Sequence, residues 1–319
     1  MRLRRPIIIL IIFGVSLLLL APSIVQLAAR HYINDTRARL EKQGIKFSVT
    51  GIAGQTLAVT AASIDMWIPI RVGARGARFP IALELSDVSV SLRPSLAPLI
   101  RARGAAYGGT FDVTIRNLRD STGPTFQVVL EGVDLGAHPQ LHALGLSRAV
   151  ASLTIEDARI PFDQRTTARA DLKVTDASFA LSPKLIEVVG GEFQQVASLL
   201  KIEEVTDANL RVEGATENGA FFLRPIHLSS SLGEVSGQAR GTFDNGRGEP
   251  SLTANLHVAF SDATRHLQDW LPLLSQNKLS AETTRFTTSI SSTTCTNASV
   301  PTLRLGRLCL RSTLAPEPR

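Results

Sequence analysis

The chain has 319 residues, 44% of them hydrophobic and 19% charged, which is too apolar for a disordered protein and long enough for one large domain or two small ones. Aromatic residues make up only 5%, which disfavours a base- or sugar-stacking surface, whereas the abundance of Val, Leu, Ile, Ala, Thr and Ser suits strands packed through aliphatic side chains. The formal net charge of +6 is confined to the ends: residues 1–110 and the segment after 283 are basic, residues 111–283 are acidic overall, and no Lys/Arg run is interleaved with aromatics as nucleic-acid binding requires.

Met1-Arg-Leu-Arg-Arg5 is a basic start, and Pro6 then opens an uncharged apolar stretch from Ile7 to Ala29. Roughly 20 apolar residues span a bilayer, and arginines on the N-terminal side hold that end in the cytoplasm. The sequence therefore predicts a cytoplasmic N-terminus over 1–5, a transmembrane anchor over 6–29, and the bulk of the chain outside the membrane. A cleaved signal peptide is the competing reading, but Leu27-Ala28-Ala29 puts a large residue at the −3 position. Residues 30–43 carry Ile33 and Leu40 among charges and predict a short polar helix stopped by Gly44.

From Ile45 the apolar period becomes two, as in Phe79, Ile81, Leu83 and Leu85. Short alternating segments separated by Gly, Asp, Asn and Pro predict a mainly β region over 44–275, and the lack of long amphipathic helices excludes βαβ folds. One pattern recurs: LSDVSV at Leu85, LEGVDL at Leu130, IEDARI at Ile155, VTDASF at Val174 and VTDANL at Val205. Across it the apolar phase slips by one residue, from Leu83 and Leu85 to Val88 and Val90. The same slip separates Val128 and Leu130 from Val133 and Leu135, Leu153 and Ile155 from Ala158, and Leu172 and Val174 from Ala177 and Phe179. A β-bulge at Asp87, Asp157 and Asp176 makes that slip while keeping apolar side chains on one face; a plain turn at each Asp is the alternative. The uneven spacing fits a meandering antiparallel sheet with one apolar and one polar face.

The order of these features resembles the protein N family of the type II secretion system (GspN), within the wider group of AsmA-like envelope proteins. The resemblance rests on Gly44-Ile-Lys-Phe-Ser-Val-Thr-Gly51, Arg93-Pro-Ser-Leu-Ala-Pro-Leu99, Tyr107-Gly-Gly-Thr-Phe111 and Leu130-Glu-Gly-Val-Asp-Leu135. To these are added Gly190-Gly191, Val235-Ser-Gly-Gln-Ala-Arg-Gly-Thr-Phe243 and Ala263-Thr-Arg-His-Leu-Gln-Asp-Trp-Leu-Pro-Leu-Leu274. It covers residues 1 to about 275 and leaves the Ser/Thr-rich segment 276–319 outside. It implies a single-pass protein of the bacterial inner membrane with a periplasmic β domain and other type II secretion proteins as partners. The AsmA-like relatives imply an elongated, curved antiparallel sheet, an open trough able to hold the acyl chains of a lipid. The candidate trough residues are Leu83, Leu85, Val88, Val90, Leu130, Val133, Ile155, Val174, Phe179 and Leu210. They need a cover, and no helix after the anchor is long enough to supply it, because the stretch Asp262 to Leu274 is about three turns.

No GxSxG, P-loop, GxGxxG or HExxH setting occurs. His138 and His142 have HxxxH spacing, but Pro139 and the lack of a third ligand favour a polar loop over a metal site. Adjacent acids such as Glu156-Asp157 and Glu203-Glu204 alternate across a strand and read as solvated charges. No enzyme activity, cofactor or nucleic-acid partner is expected. Cys295 and Cys309 form an even pair in an oxidising compartment and are a candidate disulfide, with free thiols in a tail as the alternative.

Overall fold

The computed structural model describes residues 4–42, 44–72, 77–94, 98–118, 123–159, 167–189, 204–217, 219–242, 251–294, 303–305 and 308–317. Two compact units emerge: Met1–Arg71 with Arg78–Pro124, and Val72–Ala77 with Thr125–Arg319. Both are built from antiparallel strands.

In the first unit, helix α1 (Arg4–Lys42) precedes β1 (Lys46–Thr50), β2 (Ala53–Gln55), β3 (Ala58–Val72), β4 (Ala77–Arg93), β5 (Leu99–Ala106) and β6 (Gly109–Arg116). The strand order is β1-β3-β4-β5-β6, with β2 also pairing β3. The polar stretch 30–42 continues the apolar one in a single helix, with Pro22 inside it, and residue 43 lies outside the described residues. Gly44, at φ +78°, ends α1: its N–H donates to Glu41 O at 2.9 Å and that of Ile45 to Leu40 O at 3.0 Å, while Arg39 and Lys42 lie in the last turn beside its negative end. Among the described residues no helix is long and apolar enough to cross a membrane; the side chains of 4–21, most of the apolar run, lie outside the described part.

The C-terminal half of α1 packs on β1 and β2, strands that carry none of the candidate trough residues. Gln26 Nε2 donates to Ile52 O at 2.7 Å and Arg37 Nε to Phe47 O at 3.0 Å. Gly54 lies so close that a Cβ there would meet Pro22 O and stand 2.7 Å from the Gln26 amide nitrogen. Only glycine lets the backbones approach to this degree.

The second unit holds β7 (Thr125–Asp134), β8 (Leu146–Arg159), β9 (Ala168–Ala180), β10 (Glu204–Glu217), β11 (Ala220–Ser230), β12 (Gly233–Thr242), β13 (Ser251–Phe260), β14 (Arg285–Thr294), β15 (Leu303–Leu305) and β16 (Leu308–Pro316). The order follows the chain from β7 to β14 and ends β14-β16-β15. The sheet thus runs on past residue 275, because β14 and β16 add to it through alternating Phe286, Thr288 and Ile290. The stretch 262–274 is broken into a 3-10 turn and two single helical turns, Arg265–Gln268 and Leu271–Leu274. Its Leu271, with Leu279 and Phe286, forms a buried cluster against Val258, Phe260 and Leu314.

The recurring motif is a bulge rather than a turn. Asp87, Asp157, Asp176 and Asp207 have φ between +51° and +56° and Gly132 has φ +65°, and all five lie inside continuous strands. The ladders shift register there, between Ser86 and Ser89, between Leu130 and Val133, opposite Asp157 between Phe126 and Val128, and between Val205 and Ala208. Asp tolerates the left-handed region better than most residues and glycine does so freely, which is why Gly132 occupies the slot that holds Asp in the other repeats. The residue after the bulge turns inward: Val88, Val133 and Ala158 are buried.

Tyr107 (φ +47°) and Gly108 (φ +78°) form the two-residue loop between β5 and β6, where Ala106 pairs Gly109. Two successive positive φ values match the twist of the flanking strands. The Tyr107 hydroxyl donates to Ala82 O at 2.9 Å and accepts from the Glu84 N–H at 3.2 Å, tying the hairpin to β4. Burial pushes the phenol above its ordinary value, the Glu84 backbone bond opposes this, and the Glu84 and Asp65 carboxylates add to it.

Two predictions follow from these contacts. Asp157→Val should lower unfolding stability by about 1–3 kcal/mol, because a β-branched residue is strained at φ +56°, whereas Asp157→Gly should stay within about 0.5 kcal/mol. Urea unfolding checks this, and an equal loss in both variants would assign the effect to the carboxylate instead. Tyr107→Phe leaves Ala82 O and Glu84 N–H without their partner and should cost about 1–3 kcal/mol at neutral pH. Since the fold favours the neutral phenol, its contribution is complete below about pH 10 and is lost as pH rises through the raised value. Stability measured between pH 8 and 11.5 should therefore fall more steeply in the native protein than in the Phe variant.

Candidate functional site

The strand pairings place the sequence-predicted residues of the second unit on one surface. Leu130 on β7 faces Leu153, which faces Leu172, then Val212, Ile226, Gly237, Leu256, Thr288 and finally Leu314 on β16. A parallel row runs Val133, Ala151, Val174, Leu210, Leu228, Val235, Val258 and Phe286. A third runs Val128, Ile155, Ala170, Gly214, Leu223, Ala239, Ala254 and Ile290. Phe179 joins the same face through its pairing with Val205 and Leu146. Each bulge is needed for this, because without the extra residue Val133, Ala158 and Ala177 would point away from the row that precedes them.

In the first unit Val90 faces Ala102 and then Val113, and Leu92 faces Ile100 and then Ile115. Leu83, Leu85 and Val88 belong to the same face by the phase of β4. Val88 is buried, Leu83 and Leu85 are half-buried, and Val90 is 40% exposed near the strand end.

The face of the second unit is apolar yet only half-buried. Leu130, Leu153, Ile155, Leu172, Val174, Phe179 and Leu210 all retain solvent contact, and the small residues Val133, Ala158, Ala239 and Ala254 are buried beneath them. Helical turns touch the sheet at β8 and after β13; among the described residues none packs along the middle of the face. Phe111 and Phe221 fold across glycines on the neighbouring strands. A Cβ at Gly104 would stand 2.6 Å from the Phe111 ring, and one at Gly241 would meet the Phe221 ring. This cross-strand pairing of ring and glycine keeps both aromatics flat against the sheet.

The opposite face of the second unit is polar. Glu156 faces Arg169, Thr154 faces Asp171, and Lys173 faces both Ser152 and Arg211. Lys173 lies 3.5 Å from Asp171 and Arg211 lies 2.7 Å from Glu213. In the first unit Asp112 bridges Arg101 and Arg103 in the same manner. The Lys173 and Arg211 pairs are largely exposed and contribute little to stability, whereas the Arg101–Asp112 pair is part-buried and held by more than one hydrogen bond.

His138 does not sit in a loop, as the sequence suggests; it is the N-cap of the one-turn helix Pro139–Ala143, its Nδ1 accepting from the Leu141 N–H at 3.4 Å. His142 lies in that turn, and among the described residues no group of three His, Cys, Asp or Glu is placed to hold a metal ion. Cys309 lies in β16 opposite Thr293, while Cys295 lies outside the described residues, and with it the candidate disulfide.

Sequence reasoning missed Leu223, Leu228, Leu256, Phe286 and Leu314 as members of the apolar rows. Leu228 and Leu256 alternate with Ile226 and Val258 on their own strands and could have been found; Leu223 lies across a register shift from Ile226, which breaks the period, and β14 and β16 are diluted by Ser and Thr, which hide it. Comparison with protein-family models, with curated proteins and with solved structures finds no match to this chain.

Proposed function

We propose that this chain is a non-enzymatic inner-membrane component of the type II protein secretion system whose periplasmic β sheet contacts other envelope proteins. The observation that carries this reading is the mainly apolar face of the second unit, where large aliphatic side chains stay half-buried with no described helix over them. Full burial of one Leu or Val is worth about 1.5–3 kcal/mol, so a partner that covers several of them gains binding energy without any special chemistry. The basic start and the apolar stretch Ile7 to Ala29 support the membrane anchor, and the resemblance to the protein N family supports the secretion machinery as the setting.

A second reading, an AsmA-like carrier of lipid acyl chains between membranes, is favoured by one feature of the same face. Half of one row, Ala170, Gly214, Ala239 and Ala254, is small, with Leu223 between Gly214 and Ala239, and it lies beside the row of Leu172, Val212, Ile226 and Leu256. Small side chains beside large ones leave shallow apolar hollows, suited to segments of a hydrocarbon chain.

Deleting the gene should leave secreted enzymes trapped in the periplasm, as measured by their activity in the medium; normal export would exclude the secretion role. For the lipid role, Leu130→Asp places a charge on the face at a cost of several kcal/mol. That variant should lose co-purifying lipid, as read by mass spectrometry, while remaining folded by circular dichroism. Lipid retained by the folded variant would exclude the carrier.

A further inference from the structure

On the polar face of the second unit one aromatic ring is out of place: Phe222 is 46% exposed among charged and amide side chains. It faces Arg240 on β12, which faces Thr253 on β13, and Gln238 faces Asn255 one row away. With Arg224 these residues line an open cavity of about 410 Å³. No carboxylate lines it, although Phe222 and Arg224 also border an adjoining cavity that holds Glu156, Asp171 and Glu213; among the described residues neither Arg224 nor Arg240 makes an ion pair, whereas Arg211 and Lys173 on the same face pair with Glu213 and Asp171. Asn255 Oδ1 accepts from Ser289 Oγ at 2.8 Å, which leaves the amide nitrogen as a donor.

Arg224 and Arg240 are exposed and lie diagonally across the β11–β12 ladder, where an anion shared between them would offset the repulsion of like charges on neighbouring strands. A carboxylate is matched by one guanidinium fork, while the oxygens of a phosphate monoester accept from two forks and from neighbouring neutral donors. The exposed ring of Phe222 adds a flat apolar floor beside the charges, which inorganic phosphate would not use. We infer that this cavity is a binding site for a phosphate monoester with an apolar or planar body, the phosphate held by Arg224 and Arg240 with Gln238, Thr253 and Asn255, and the body resting on Phe222. The polar members of the site lie on the face opposite the apolar rows, and Leu223 and Ala239 of the third row also line the cavity.

Titration of the full chain in neutral detergent with phenyl phosphate, followed by calorimetry, tests this directly. Phenyl phosphate should bind saturably and at least several-fold more tightly than inorganic phosphate. Arg224→Gln and Arg240→Gln should each weaken it roughly tenfold, since each removes charge-assisted hydrogen bonds. Lys173→Gln, on the same face but outside the cavity, should leave it unchanged. Phe222→Ser should erase the preference over inorganic phosphate. Dihexanoyl phosphatidic acid, titrated in parallel, distinguishes a lipid headgroup from a small soluble ester by which of the two binds more tightly. Absence of saturable binding by both compounds, or binding that survives Arg224→Gln with Arg240→Gln in a protein of unchanged circular dichroism, would overturn the inference.

Discussion

A strand has a side-chain period of two, so one inserted residue would send every later side chain to the opposite face unless the ladder absorbs it. In this protein the ladder absorbs it repeatedly, at Asp87, Gly132, Asp157, Asp176 and Asp207, each in the left-handed region. The identity of the residue follows from the backbone it must adopt. A β-branched side chain there would be strained, glycine would be free, and Asp can be accommodated while its carboxylate stays in solvent. Everything that depends on a single apolar face, including the pairing of Leu130 with Leu153 and of Val174 with Leu210, depends on these five positions.

The face so produced in the second unit has unusual packing for a soluble domain. Small side chains such as Ala158, Ala239 and Ala254 are buried, but the longer Leu, Ile and Val residues around them are not. Among the described residues, compact protection is reached at the end of the sheet, where Leu271, Leu279 and Phe286 close against Val258, Phe260 and Leu314. In the first unit α1 performs a similar service for β1 and β2, held by the contacts of Gln26 and Arg37. Between β8 and β13 no described helix covers the apolar rows, and the proposed function is an account of what does.

Much of this was legible from the residues. The one-residue slip in apolar phase marked the bulges at Asp87, Asp157 and Asp176, because a slip with conserved facing has few other physical causes. The stop at Gly44 was legible too, from the loss of helical period and the need for positive φ. What was not legible depended on tertiary context. The fusion of residues 30–42 with the apolar helix carries no local signal, since charged and apolar residues propagate a helix equally well. The packing of α1 on the sheet turns on Gly54, a residue whose role appears only when the helix backbone stands against it. The cavity at Phe222 was hidden because Arg224 and Arg240 are far apart in sequence and meet only through the β11–β12 register.

The central claim, that the apolar face is a contact surface rather than an incidental product of the fold, is open to site-specific photo-crosslinking in growing cells. A photoreactive residue at Leu153, Leu172 or Leu256 should yield adducts with protein or lipid, whereas the same residue at Lys173, two residues from Asp171 on the opposite face, should yield markedly fewer. Equal yields from both faces, or none from the apolar one, would contradict the account.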